Sequence, residues 1–403
     1  MKILPSLSFI QDMAAEGTYD ILPVSCELLS DFITPIEALK ILKHVSSHCY
    51  LLESAAENET WGRYSFLGFD PKLEITCTNG LFKAGNLTVL TEDPSSLIRQ
   101  ILSEYKSPRF DYLPPFTGGL TGKLLETPVP AFDKSTFCAM VDEAKLRIRE
   151  GDIFQIVLSN CFSAPFEGSL FQTYRILRTL NPSPYMFYFS GTDLEIAGAS
   201  PETLVKLENG VVRTFPLAGT RPRGKNEAED KKLEAELLAD EKELAEHNML
   251  VDLGRNDLGK ISRFGTVQVE QFHSIQRFSH VMHIGSTVKG ELDSRYDALD
   301  AIEAVLPAGT LSGAPKIRAC QLINRLEQNK RGIYGGAIGY IDFTGNMDTC
   351  IAIRIAYKKN GRVFVRSGAG IVADSDPEKE YEECLNKARS SLNALELAQE
   401  DLL

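Results

Sequence analysis

Apolar positions along this 403-residue chain change period many times, and each change predicts an element. Residues 49–54, 61–71 and 72–78 read as short strands closed by turns, with Trp61 as a packing residue. Lys134–Glu150 takes up helical spacing, Gly151 stops it, and 153–159 follows as a strand. A helix over 170–180 gives way to a strand within 181–189, and strands continue through 194–218. From Glu227 to Gly254 the chain is rich in Ala, Leu, Glu and Lys with no interior Gly or Pro, which predicts one long charged helix. Strands at 266–272 and 278–288, helices near 294–305 and 314–328, and three strands between 334 and 371 come next. A last helix starts in the Asp374–Pro377 turn. Strands arrive in runs with few β-α-β alternations. The pattern therefore predicts an α+β fold, with large, mostly antiparallel sheets packed as a sandwich, flanked by helices, in two interwoven subdomains. The Pro- and Gly-dense stretch at 113–130 divides an N-terminal region, 1–130, from a second domain, 131–403.

Composition narrows the partners. Hydrophobic residues make up 43% and charged residues 24%, ordinary for a globular chain. A net charge of −12 and a pI near 5.2 argue against nucleic acid or an anionic membrane as partner. No charge-free run approaches the roughly 18–20 residues that span a bilayer. The N-terminal residues lack an A-x-A-like cleavage site and read as mature protein. Eight cysteines lie scattered without a C-x-x-C pair. That pattern predicts reduced thiols in the cytoplasm, with neither a zinc site nor a disulfide framework.

Two acidic stretches carry candidate chemistry. In the last helix Glu380, Glu383 and Lys387 fall on one face, and Glu243 and Glu246 repeat the three-residue spacing upstream. Two such helices can bring four carboxylates to one point, which requires a cation; oxygen ligands favour Mg²⁺. Taken by spacing alone, the same pairs also suit a solvated helix face. Pro216–Gly224 ends a strand in a turn with two arginines that can hold an anion. Residues 305–316 lead small side chains into a helix N-terminus without the P-loop order. The Gly368-Ala369-Gly370 strand end offers bare backbone to a ligand. His280 and His283 fall on opposite faces of a strand. Nucleophile-elbow, zincin and dinucleotide-binding signatures are absent.

Several motifs occur together and in order: GDIFQIVLS (151–159), PLAGTRPRG (216–224), EHNMLVDLGRND (246–257), HVMH (280–283), PAGTLSGAPK (307–316), YGGAIGY (334–340) and SGAGIVADSDP (367–377). In this the chain resembles the chorismate-utilising enzymes, and among them the large subunits of anthranilate synthase. The resemblance covers roughly 130–403 closely and 45–75 more loosely. It implies amination of chorismate at C2 by ammonia, then loss of pyruvate to give anthranilate, the first step of tryptophan biosynthesis. Gln155 stands where isochorismate and salicylate synthases carry a water-activating lysine, and Ala218 where many aminodeoxychorismate synthases carry a lysine for a covalent adduct. Glu246 and Glu383 are the implied direct Mg²⁺ ligands, with Glu243 and Glu380 holding the ion or its waters. His283 is implied near the leaving group or as the base for the C2 proton, and Arg354 and Tyr334 as the grip on the enolpyruvyl carboxylate. Gly219, Thr220, Thr310, Gly368, Ala369 and Gly370 line the pocket, and Lys387 neutralises nearby charge.

The resemblance also implies a hetero-oligomer. The chain lacks a Cys-His-Glu glutaminase signature, so ammonia is expected from a separate glutamine amidotransferase subunit. Leu51-Leu-Glu-Ser54 and Asn181–Met186 match the family's tryptophan feedback motif. Glu53, Ser54 and Arg63 are expected to meet the polar end of the inhibitor and Pro184, Tyr185 and Met186 its indole. After Gly122 many relatives continue for several dozen residues where this chain has a link of a dozen. The alternatives are an aminodeoxychorismate synthase component I and a non-catalytic tryptophan-sensing subunit.

Overall fold

A computed structural model describes residues 3–26, 33–54, 64–78, 80–110, 119–123, 132–166, 168–277 and 281–400. Two large antiparallel sheets face one another. One runs, in spatial order, Gly313–Ala314, Gln155–Pro165, Arg362–Ile371, Ile355–Lys359, Leu194–Ser200, Tyr185–Ser190, Cys49–Glu53 and Phe66–Phe69. The other runs Leu217–Pro222, Val281–Glu291, Val211–Thr214, Thr203–Glu208, Met347–Ile351, Ala337–Asp342 and Gly119–Lys123, with Gln268–Arg277 also pairing with Val281–Glu291. Every ladder in both is antiparallel. This is the α+β sandwich that the runs of strands predict.

Strand alternation puts one side of each sheet inward. Phe187, Ile196 and Ile355 of the first sheet meet Ile338 and Cys350 of the second in a dry layer between them. Helices cover the outer faces. Leu177, Tyr174 and Leu395 cap the first sheet around Leu51, Met186 and Tyr188, while Val251, Leu258 and Ile302 cap the second around Val205 and Val288. Each fully buried Leu, Ile or Phe in these layers contributes about 1.5–3 kcal/mol, so together they dominate the fold's stability.

Among the described residues, three strands before residue 130 are built into these sheets, while Ile3–Leu4 with Ser25–Cys26, and Ile75–Thr78, Leu81–Ala84 and Leu87–Leu90, form two small sheets of their own. Cys49–Glu53 pairs with Tyr185–Ser190, and Gly119–Lys123 pairs with Ala337–Asp342. The boundary read at 130 falls among residues 124–131, outside the described residues.

Two sequence expectations need correction. The charged run is not one helix but two, Glu227–Leu238 and Glu241–Gly259. Asp240 divides them: its carboxylate accepts from the amides of Lys242 and Glu243, starting a new helix, and takes a 2.8 Å bond from Arg221. A charge-rich stretch hides such a cap, since Asp there looks like one more surface charge. Between 334 and 371 there are four strands, not three, because Ile355–Lys359 and Arg362–Ile371 are separate arms of a hairpin turned at Asn360-Gly361.

Candidate active site

The candidate residues gather where Gln155–Pro165 and Arg362–Ile371 of the first sheet come near Leu217–Pro222 and Val281–Glu291 of the second. Glu243 and Glu246 arrive on the helix that Asp240 starts. Glu380 and Glu383 arrive on Pro377–Glu400, whose first turn is capped by Asp376.

On the first sheet, the buried Gln155 donates from Nε2 to Glu246 Oε1 at 3.0 Å. In the neighbouring strand, a Cβ placed on Gly370 would sit 3.0 Å from that same Nε2, and one on Gly368 would sit 2.9 Å from the Tyr334 hydroxyl and 2.7 Å from the Leu158 carbonyl. Only glycine lets the strand lie this close. Ala369 between them points into the core.

On the second sheet, Gly219 has φ +66° at a register shift between Ala218 and Arg221, a conformation glycine adopts without strain. Its carbonyl lies 2.8 Å from His283 Nδ1, and the Thr220 hydroxyl lies 3.1 Å from the same nitrogen. The carbonyl can only accept, so Nδ1 carries the proton and Nε2 is left as acceptor. Burial lowers the His283 pKa, the Gly219 bond opposes this, and nearby Arg354 lowers it further. His283 is thus neutral near pH 7. His280, its partner in the motif, lies outside the described residues.

Arg354 joins the two halves. It is held at φ +51°, and burial lowers its pKa against the pull of Glu202. Among the described residues it forms no ion pair. A partly buried guanidinium without a bonded carboxylate is a ready anion site.

Glu202 is the residue that sequence reasoning missed. Its Oε1 accepts from Thr310 Oγ1 at 3.0 Å. Burial pushes its pKa up to about 7, against the opposing effects of Thr310, Arg354 and Lys387. Ser200-Pro201-Glu202 between two strands looks like a surface turn, and no residue pattern marked it.

The four glutamates stand as two pairs. Glu243 is raised first by burial and then by Glu246; Glu380 is raised first by burial, with Glu383 adding to it. Lys387 lies 2.6 Å from Glu383, and Lys242 on the first helix acts on Glu380 of the second. The pairs are therefore neighbours across the cleft. Among the described residues, however, no three His, Cys, Asp or Glu side chains are grouped to hold a metal ion, so the four do not meet at one point. Like charges within each pair push apart when nothing lies between them.

The residues expected to form a feedback motif are assembled differently. Met186 pairs in register with Glu53, so the two halves of the motif lie on adjacent strands. Alternation then splits them between faces. Met186 packs under the outer helices and Tyr185 in the layer between the sheets. Glu53 lies on the outer side too, where Tyr174 donates to it at 2.5 Å and Arg178 at 2.7 Å. Its carboxylate is thus held by two side chains of the outer helix. The Tyr185 hydroxyl is bound to Asp348 and Thr203. Ser54 and Pro184 are partly exposed beside these strands, and Arg63 lies outside the described residues.

All eight cysteines are free, as their spacing predicts. Among the described residues no helix is long and apolar enough to cross a membrane.

Comparison with known proteins accounts for this arrangement. The family model described as chorismate binding enzyme matches residues 62–393. Anthranilate synthase component 1 of Acetivibrio thermocellus is 39% identical, covering 98% of this chain and 99% of that protein. The Aquifex aeolicus counterpart is 40% identical with the same coverages. The first alignment runs over 492 positions, more than the 403 residues here, so that relative holds segments this chain lacks. The crystal structure of anthranilate synthase component I from Streptococcus pneumoniae TIGR4 is 34% identical, with a TM-score of 0.72 over 91% of this chain and 99% of that one. The menaquinone-specific isochorismate synthase of Escherichia coli, 23% identical with a TM-score of 0.62, shares the fold. The chain belongs to the family of chorismate binding enzymes.

Proposed function

We propose that this chain is the chorismate-aminating subunit of an anthranilate synthase, adding ammonia at C2 of chorismate and eliminating pyruvate. The observation that carries the reading is the joining of Arg354, Glu202, Thr310, His283 and the two glutamate pairs around one cleft. The relatives named as anthranilate synthase component 1 support it over nearly the whole chain. Gln155 supports it as well. A neutral amide tied to Glu246 cannot act as the base for water, which leaves ammonia as nucleophile.

Mg²⁺ fits the donor set: every candidate ligand is a carboxylate oxygen, and the repulsion within each pair is what a hard dication relieves. Glu246 and Glu383 would hold it, with Glu243 and Glu380 behind them. When bound, it supplies positive charge that anchors the ring carboxylate and eases departure of the C4 hydroxyl. Arg354 binds the enolpyruvyl carboxylate by charge-assisted donation, with the Tyr334 hydroxyl beside it. Glu202, its pKa raised by burial to about 7, is in part protonated at neutral pH and gives that proton to a departing oxygen. The unprotonated Nε2 of His283 takes a proton from carbon. A glutamine amidotransferase subunit supplies ammonia, and tryptophan acts through the Ser54, Pro184 and Tyr185 region.

The test is product identification. Purified chain with chorismate, Mg²⁺ and ammonium at about pH 8.5, where more of the amine is unprotonated, should form fluorescent anthranilate. Formation of 4-amino-4-deoxychorismate would refute the C2 assignment, and untouched chorismate would refute catalysis.

A further inference from the structure

One buried carboxylate has no part in the chemistry above. Glu327 ends the helix Lys316–Glu327 and is 1% exposed. Its Oε1 accepts from the Ser159 amide at 2.8 Å, the Ser159 hydroxyl at 3.0 Å and Arg331 Nη2 at 2.5 Å. Its Oε2 accepts from Arg331 Nε at 2.9 Å. Arg366, also buried, brings Nη1 to 3.6 Å from Oε2 and bonds through Nη2 to Asn329, whose amide donates to the Glu327 carbonyl at 2.8 Å. A carboxylate this deep is tolerated because four donors meet it.

The network reaches well beyond the end of that helix. Arg331 directs its other donors to backbone, Nη1 to the Leu311 carbonyl at 2.5 Å and Nη2 to the Val157 carbonyl at 2.7 Å. Leu311 follows Thr310, whose hydroxyl bonds to Glu202. Three residues after Arg331, the Tyr334 amide closes a turn onto the Arg331 carbonyl at 3.3 Å. The guanidinium carbon lies 5.9 Å from the centre of the Tyr334 ring, within reach of a cation–π contact. Ser159 is the ladder partner of Gly368, against which the Tyr334 hydroxyl sits. One carboxylate and one guanidinium thus tie together three separate stretches of chain, each carrying a residue of the cleft.

We propose that the Glu327–Arg331 pair positions the substrate-gripping wall of the cleft: Glu327 aims the Arg331 fork, and the fork fixes Tyr334 and the turn that carries Thr310. The inference rests on the reading of the cleft as a chorismate site and adds two positioning residues to it. Glu327, Val157 and Leu311 offer three separate acceptors, and arginine presents rigid donors to all three at once, which the single ammonium of a lysine does not. A glutamine at 327 turns an NH2 toward groups that are themselves donors, so Arg331 or Ser159 loses its partner and the fork is released.

The test compares Glu327→Gln and Arg331→Lys with the wild-type chain. Chorismate binding is measured by calorimetry in Mg²⁺ without ammonium, and anthranilate formation is then measured against ammonium at saturating chorismate. Positioning predicts a rise in the chorismate Kd of about tenfold in both variants, inside the ~100-fold that a misplaced site can cost, with the KM for ammonium unchanged. A purely structural pair would lower the folded fraction and the rate, and leave the Kd of the folded chain as it was. Ser159→Ala is the milder variant should the other two fail to fold: it removes one donor, keeps the amide, and should raise the same Kd by up to about fivefold, the scale of one hydrogen bond. An unchanged Kd in the folded variants, or an ammonium KM that rises in step with it, overturns the proposal. A wild-type chain that binds chorismate without forming anthranilate overturns the amination reading alone, because the binding comparison still decides the role of the pair. A wild-type chain that does not bind chorismate overturns both.

Discussion

The proposed catalytic cleft and the proposed feedback motif are both built from polar residues at strand and helix ends, yet they balance charge differently. In the cleft, Arg354 has no bonded carboxylate among the described residues, Glu202 keeps a raised pKa, and glutamates repel one another on two helices. Around Glu53 the carboxylate and the phenol are paired: Tyr174 and Arg178 bond to Glu53, and Asp348 and Thr203 to Tyr185. Unbalanced charge is costly without a ligand and favourable with one, which is why the proposed function gives the cleft an ion and an anion together. The region around Glu53 carries bonded partners of its own. A ligand there must bind around its existing bonds or displace them, which suits a regulator that shifts a balance between two states.

The comparison breaks most sharply at the cleft's charges. Glu383→Gln or Glu246→Gln should cut turnover by more than the ~10–100-fold that losing an outer-shell partner of a metal costs. Steady-state rates measure this, with circular dichroism unchanged because Glu383 is an exposed side chain. Glu202→Gln should lower kcat by about 10²–10⁴-fold, the usual contribution of a general acid, while leaving chorismate binding within a few-fold by calorimetry. The pH profile sharpens the same point. A carboxyl group whose pKa is raised to about 7 is protonated below that pH and loses its proton above it. At constant free ammonia, kcat/KM should therefore fall above pH 7, by up to about tenfold per pH unit. A flat profile would remove Glu202 from the acid role.

The paired region should respond in stability. Glu53→Gln weakens charged bonds to a buried acceptor and should cost about 1–3 kcal/mol, read from the denaturation midpoint, with ammonium-dependent kcat little changed. The smallest effect is expected at Ser54. Ser54→Ala should leave kcat alone and weaken tryptophan inhibition about fivefold, the loss of one hydrogen bond worth ~1 kcal/mol.

Much of this architecture was legible in the residues because periodicity reports burial. Runs of strands gave the antiparallel sandwich, and Pro377 after an aspartate gave the start of the closing helix. Where the reading failed, a local signal was ambiguous or the deciding partner lay far away. Asp240 looks like any acid in a charged run until its carboxylate is seen against two amides. Glu202 acquires its raised pKa from burial by residues distant in sequence, against the opposing pull of Thr310, Arg354 and Lys387. Glu53 looks open to a ligand until Arg178, 125 positions away, is found on it. Spacing placed four glutamates on two helices, but it could not state how far each pair stands from the other.

That distance bears on the central proposal, that the two glutamate pairs of the cleft take up a divalent cation. Calorimetric titration of the chain with Mg²⁺ at about pH 5.5, in two buffers of different ionisation heat, tests it directly. Glu243 and Glu380 have raised pKa values, so part of each remains protonated in mild acid, and a cation must displace those protons. The account predicts one saturable site per chain, a buffer-dependent heat from proton release, and loss of both in Glu246→Gln. Binding that is unsaturable, or that persists unchanged in that variant, would contradict it.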